Sequence, residues 1–303
     1  MSAAKSDVIV FLVHVFDAEI ERRFLKLKQE CSDICDVVLL AERGLNIPAS
    51  VAPFAQFFDF DALKQIAQSV IGNKIIPGNA HLRAIDYCRR YPGYRFYWFV
   101  EYDVIYTGHW GEFIASFAND PSDLLASHVR VLADEPDWFW RKSFATGTDC
   151  FSEDRWVLAF MPIYRISFRG CEAVARKVRE GWVGHFEVLL PSALTYCGLL
   201  ISDIGGSGSW TPKDRVLRHY VDLPSGAPYL YGAGPLRYRP AIRSRLIENK
   251  LYHPCKTPAS ELPDQGSSKR LRAARRQIRT PSFFIRYWLR LFRSGVVSRY
   301  QRK

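Results

Sequence analysis

From Val8 to Phe16 the chain is apolar and rich in β-branched residues, interrupted only by His14, which predicts a strand buried on both faces of a parallel sheet. Asp17 then stands where a helix cap belongs. Ile20, Phe24 and Leu27 follow at i, i+4 and i+7, with acids in the first turn and Lys26 and Lys28 in the last, as the helix dipole favours. The stretch beginning Asp36-Val-Val-Leu-Leu-Ala reads as a second strand, so the chain opens with a β-α-β unit of roughly 30 residues.

A less regular stretch from Glu42 to Phe60 leads to a helix near Asp61 to Val70. Pro77-Gly78-Asn79 starts another, carried by Leu82, Ile85 and Cys88 and ended by Tyr91-Pro92-Gly93. Tyr94 to Val100 is an aromatic strand that runs directly into Glu101-Tyr102-Asp103. Beyond it the pattern predicts a helix near Glu112 to Phe117, a strand near Leu124 to Ser127, an acidic-aromatic loop from Asp134 to Trp140 and a strand near Trp156 to Phe160. A helix around Cys171 to Glu180 closes at Gly181, and Gly184-His185-Phe186-Glu187 opens the next, Val188 to Tyr196. Gly205 to Ser209 reads as a flexible loop, and Pro212 to Pro240 as mostly irregular structure. Strands and helices alternating in this order predict an α/β sandwich whose sheet is mixed in its second half.

Composition supports a large core: 48% of the 303 residues are hydrophobic, and 8 Trp, 15 Tyr and 20 Phe exclude a disordered chain. The net charge of +11 is unevenly placed. The last acid is Asp264, and residues 265–303 carry twelve Lys and Arg, so the body is near neutral and the tail is an interaction segment for anionic partners. Seven scattered cysteines with no Cys-x-x-Cys pair argue against a disulfide framework or structural zinc and for a reducing, cytoplasmic compartment. The first apolar run lacks a small-residue cleavage site, and no stretch reaches the ~18 apolar residues of a spanning helix. Any membrane association is expected to be peripheral, at the inner face.

Chemistry concentrates where the aromatic strand ends. Ligands of open α/β sheets bind outside the carboxyl ends of strands, and Glu101 and Asp103, two apart in extended chain, face one side and can address one divalent cation. Such hard oxygen donors suit Mg²⁺ or Mn²⁺. A polar strand end meeting solvent is the alternative. The glycine-rich 205–208 segment lacks the Lys-Ser/Thr ending of a phosphate-binding loop, and no Gly-x-Ser-x-Gly or His-Glu-x-x-His occurs.

Taken together, the β-α-β opening, the acid-x-acid at the end of a central strand, the Glu at a glycine-led helix start and the late Asn249-Lys250-Leu251-Tyr252-His253-Pro254-Cys255-Lys256 segment resemble the GT-A glycosyltransferases over residues 7–257. The resemblance implies a GT-A-like three-layer sandwich with a central mixed, mainly parallel sheet. It also implies a metal-dependent enzyme that moves a sugar from a nucleotide-diphospho-sugar donor to a saccharide or lipid-linked acceptor, with Mn²⁺ or Mg²⁺ as cofactor. In that family the acid-x-acid motif binds the metal that holds the donor diphosphate. Here Glu101 replaces the more usual Asp, which leaves the direct metal role more securely with Asp103, and His253 corresponds to the C-terminal His that completes the site. Lys250 or Lys256 could meet phosphate.

Glu187 corresponds to the acid that meets the acceptor hydroxyl and would act as base. Its structural alternative is a first-turn acid on a helix dipole. His185 orients acceptor or caps the helix. His14, Arg43, Asn79 and Arg83 are further donor-pocket candidates, and Trp138 and Trp140 offer faces on which a sugar can stack. Each is also a residue that ordinary packing employs. Two other functions fit parts of the pattern: a non-catalytic nucleotide-sugar or carbohydrate-binding protein, and a nucleic-acid adaptor acting through its basic tail.

Residues 258–268, with Pro258, Pro263 and Gly266, read as a linker between a 1–257 catalytic domain and a 269–303 tail. In the tail Thr280-Pro281 starts a helix on which Arg286, Arg290 and Arg293 fall at i, i+4 and i+7 among large apolar side chains. Such a basic amphipathic C-terminal helix suits an anionic membrane surface; its dense apolar face makes nucleic acid an unlikely partner.

Overall fold

A computed structural model describes residues 6–260 except 73, 77, 137, 223–234 and 237–247. Two compact units divide the chain, 1–260 and 261–303, and the predicted basic helix lies outside the described residues. In the first unit the elements run β1 (Asp7–Val13), α1 (Ala18–Cys31), β2 (Asp36–Glu42), β3 (Ala55–Phe58), α2 (Phe60–Leu63), α3 (Ala80–Arg90), β4 (Phe96–Glu101), β5 (Ile105–Tyr106), α4 (Trp110–Ala115) and β6 (Leu124–Val131). They continue with β7 (Ala145–Thr146), β8 (Val157–Ser167), α5 (Phe168–Arg179), β9 (Trp182–Val183), α6 (Phe186–Tyr196), β10 (Ile201–Asp203), β11 (Val221–Asp222), β12 (Pro235–Leu236) and β13 (Leu251–Tyr252).

Seven strands form one sheet in the order β10-β6-β8-β4-β1-β2-β3. Neighbours are parallel except β8, which runs antiparallel to both β4 and β6. Side chains alternate between faces along each strand. Val8, Val10 and Leu12 of β1, with Tyr97 and Phe99 of β4, enter a core shared with α3, α5 and α6; Ile9, Phe11 and Val13, with Trp98 and Val100, enter another shared with α1 and α4. Helices therefore cover both faces, and the predicted three-layer α/β sandwich with a mixed, mainly parallel sheet is the architecture observed.

Local chemistry explains the elements that place the site. The Asp17 side chain accepts the Ile20 N–H and starts α1, whose Ile20, Phe24 and Leu27 are buried as their spacing predicts. The chain leaves the sheet at Val13, three residues before the predicted strand end, because it must bend there into that cap. Register pairs Leu12 with Glu101 and Val13 with Ala41, so β1, β2 and β4 finish side by side at one carboxyl edge.

Three expectations about the elements need correction. The helix near Asp61 to Val70 is one α-turn and a 3-10 turn, after which Gln68 N–H bonds to Val178 O instead of continuing it. β3 sits inside the stretch read as irregular; it is a four-residue edge strand with no β-branched residue to announce it. The strand expected near Trp156 to Phe160 is β8, which runs on to Ser167 through Pro162, although Pro cannot donate to a ladder. The β4 ladder ends at Val100–Ile163 and the β6 ladder is irregular between Phe160 and Arg165, so no donor is missing at Pro162. The 205–208 loop is built on Asp203, whose Oδ1 accepts the Gly205 and Gly206 N–H groups at 2.8 Å each. Among the described residues no helix is long and apolar enough to cross a membrane.

Candidate metal and donor site

The carboxyl edge gathers Glu101, Asp103 and His253, whose ligand atoms all lie within 4.8 Å of one another. His253 Nε2 is 3.6 Å from Glu101 Oε2 and 3.5 Å from Asp103 Oδ1. Strand geometry delivers the first two. Tyr102 N–H bonds back to Leu12 O at 3.1 Å, and Val104 N–H to Glu101 O at 2.9 Å, so β4 turns sharply just past the sheet and keeps both carboxylates at its end. His253 arrives through the β5–β13 ribbon, which pairs Leu251 with Tyr106 and Tyr252 with Ile105 and continues as Cys255 N–H bonding to Asp103 O at 2.8 Å.

Electrostatics in this cluster are strong because Asp103 and His253 are both buried. Burial disfavours the Asp103 carboxylate, yet His253 and Lys256 outweigh it and hold the group well below the usual carboxylate range. Burial likewise opposes the His253 imidazolium, and the carboxylates of Asp103 and Glu101 overcome it, raising its pKa to about 9. The Lys256 ammonium donates to Asp103 Oδ2, and to Tyr102 Oη at 3.3 Å. Asp103 Oδ1 is buried and accepts no hydrogen bond. In metal-free protein the protonated His253 ring, 3.5 Å away, offsets the burial of that oxygen, a role a divalent cation could take over. Two hard carboxylates and an imidazole around such an oxygen fit Mn²⁺ or Mg²⁺.

Arg83 and His14 border the same cluster. The Arg83 guanidinium, on α3, is buried with Nη2 3.8 Å from Glu101 Oε1 and with Nε unpartnered. His14 packs edge-on against Tyr102, ring centres 5.0 Å apart. Arg43 is exposed just past β2. Asn79, predicted for the donor pocket, is committed elsewhere: its amide donates to Ile71 O and Lys74 O and accepts from Ile71 N, which closes the loop before α3. Lys250 is likewise committed, donating to Leu217 O and Arg218 O.

Glu187 and His185 form a second group at the start of α6. His185 caps the helix, its Nδ1 accepting the Glu187 N–H at 3.3 Å and lying 3.6 Å from Glu187 Oε2. Both side chains are buried, and Trp140 stacks on the His185 ring at 4.1 Å and 7°. Burial, then the neighbouring His81, pushes the His185 pKa down to about 3, so the ring is neutral and Nδ1 is free to accept. Phe186 N–H bonds to Gly78 O, so the loop that leads into α3 also anchors the start of α6. Trp138, beyond the end of β6, stands with a third group, stacked on His128 of that strand at 5.7 Å.

Three participants escape a sequence reading restricted to motifs. Arg23 contacts two main-chain carbonyls of the cluster, His81 neighbours His185, and His128 takes a positive φ of 50° beside Trp138. None carries a local signal; Lys256 did, through its place three residues after His253.

No protein family and no curated protein matches the chain. Among solved structures it is similar to a protein assigned as a glucose-1-phosphate thymidylyltransferase from Bacillus anthracis, in complex with sucrose. That likeness has 11% identity over 66% of this chain and 87% of the other, with a TM-score of 0.37. It is also similar to the inositol-1-phosphate CTP transferase of T. maritima, at 10% identity over 71% and 93% with a TM-score of 0.39. A glycosyltransferase involved in glycosylation of the major capsid of PBCV-1 matches at 7% identity over 56% and 65%, with a TM-score of 0.28. These three are transferases, and at such scores their activities do not transfer to this chain.

Proposed function

We propose that the chain is a metal-dependent glycosyltransferase that uses a nucleotide-diphospho-sugar and glycosylates a saccharide or lipid-linked acceptor. The observation that carries this reading is the Glu101–Asp103–His253 cluster, its ligand atoms within 4.8 Å of one another at the carboxyl edge of a mainly parallel sheet. Asp103, Glu101 and His253 would hold Mn²⁺ or Mg²⁺. Bound there, the ion would neutralise charge on a leaving diphosphate. Lys256 and Arg83, both cationic and both beside the carboxylates, would meet donor phosphate oxygens. His14 would line the donor pocket.

Glu187 would take the proton of the acceptor hydroxyl, with His185 capping the helix that carries it and Trp140 or Trp138 giving an aromatic face to the acceptor. The basic amphipathic pattern of residues 269–303 would hold the enzyme at an anionic, cytoplasmic membrane face, which sedimentation with anionic against neutral vesicles tests.

The decisive test is thermal stabilisation of purified protein by Mn²⁺ with a panel of nucleotide-diphospho-sugars, since a ligand that binds only the native state raises apparent stability. Metal-dependent stabilisation by one nucleotide, with sugar release or transfer, is expected. Equal stabilisation of the wild type and Asp103→Ala would refute the site.

A further inference from the structure

Arg23 lies on α1, away from every motif that marks the carboxyl edge, yet its side chain is only 11% exposed. Nε donates to Glu19 Oε1, one turn back, at 2.8 Å. Nη1 donates to two main-chain carbonyls, Tyr102 O at 3.1 Å and Cys255 O at 2.7 Å. The first carbonyl belongs to the residue between Glu101 and Asp103. The second lies between His253 and Lys256. Arg23 and Cys255 are 232 positions apart in sequence, so only the fold makes this contact.

The β5–β13 ladder ends at Tyr252, one residue short of His253. Beyond it, the 253–256 segment is registered against 101–103 by the Cys255 N–H to Asp103 O bond and by the guanidinium that both segments share. A guanidinium suits this task because its planar N–H donors have fixed directions, and the Glu19 carboxylate holds the plane. A lysine ammonium is a point donor on a flexible stem and offers no such pre-organised fork.

We propose that Arg23 is a positioning residue for the metal cluster, setting the register between the Glu101–Asp103 pair and His253 by bridging the Tyr102 and Cys255 carbonyls. It rests on reading that cluster as a divalent-cation site. Groups that orient metal ligands from behind typically change affinity by about 10- to 100-fold when removed.

The test uses the full-length chain and two readouts: Mn²⁺ affinity from the free-ion electron paramagnetic resonance signal, and hydrogen exchange of the Cys255 amide. Arg23→Ala and Arg23→Lys are expected to weaken Mn²⁺ binding by about tenfold or more and to speed Cys255 exchange. Phe24→Leu loosens the core face of the same helix and is expected to lower stability while leaving both readouts as in wild type. The proposal is overturned if Arg23→Lys retains wild-type affinity and exchange, or if Phe24→Leu shifts both as much as Arg23→Ala does. Should the wild type bind no Mn²⁺, the cation-site reading falls and the positioning proposal with it; fast Cys255 exchange confined to the Arg23 variants would then mark a purely structural clip.

Discussion

His253 Nε2 stands 3.5 Å from Asp103 Oδ1, a buried oxygen that it meets as an ion pair. In metal-free protein this ion pair offsets the oxygen's burial, while Lys256 satisfies the other oxygen. Removing the charge at Asp103 without changing its size separates these roles. Asp103→Asn is expected to abolish Mn²⁺ binding and, in metal-free protein, to bring the His253 pKa down from about 9, because the carboxylate is the largest influence raising it. Imidazole proton resonances followed against pH check both parts. An unchanged His253 titration would show that Asp103 does not face the ring in solution.

Stability of the metal-free protein should peak near neutrality. His253 has a folded pKa of about 9 against about 6.5 unfolded, so its contribution is complete below pH 6.5 and is lost as pH rises through 9, up to about 3 kcal/mol in all. His81, His185 and His219 are buried neutral with folded values of about 4, 3 and 4, in each case chiefly through burial. They have the opposite sign: no loss above pH 6.5, and up to about 1.4 kcal/mol per pH unit per residue as pH falls from there toward 4. Urea unfolding at pH 5.5, 7 and 9 measures the curve. Saturating Mn²⁺ should abolish the loss on the alkaline side, since a ligating imidazole is already deprotonated. A flat profile from pH 7 to 9 in metal-free protein would contradict the His253 assignment.

Glu187→Gln keeps the size of a buried side chain and removes its charge. If Glu187 is the base, transfer should fall by about 10²- to 10⁴-fold, with Mn²⁺ and donor affinity within about twofold of wild type. The measurement is single-turnover sugar transfer beside a donor-binding titration. Full activity in this variant would return Glu187 to a helix-start acid.

Asn79 is expected to matter for folding and not for donor binding. Its amide satisfies Ile71 N, Ile71 O and Lys74 O, so Asn79→Ala leaves three main-chain groups without that partner. A destabilisation of about 1–3 kcal/mol is expected in denaturant unfolding. Donor affinity, referred to the folded fraction, should stay unchanged.

Much of the architecture is legible in the chain because it rests on local regularities. The apolar runs of β1 and β4, the Asp17 cap and the Ile20, Phe24, Leu27 spacing of α1 announce themselves, since burial selects side chains with the period of the element. Glu101 and Asp103 could be singled out for the same reason: polarity that begins where an apolar strand stops. Elements whose stability comes from partners elsewhere were less readable. β3 exists because β2 offers it an edge, and β8 passes Pro162 because both neighbouring ladders spare that residue a donor.

Sequence by itself determined which stretches must be buried and with what period, and which residues carry metal-ligating or basic chemistry. Tertiary structure alone decided which of them meet. Lys256 and Asp103 lie 153 positions apart, and Arg23 reaches Cys255 across 232. The same structure turned Asn79 and Lys250, plausible ligand contacts by residue type, toward main-chain carbonyls. The physical reason is that hydrogen-bonding and charged side chains take whichever partners the packed sheet and its loops bring within about 3 Å, and local sequence does not encode that proximity.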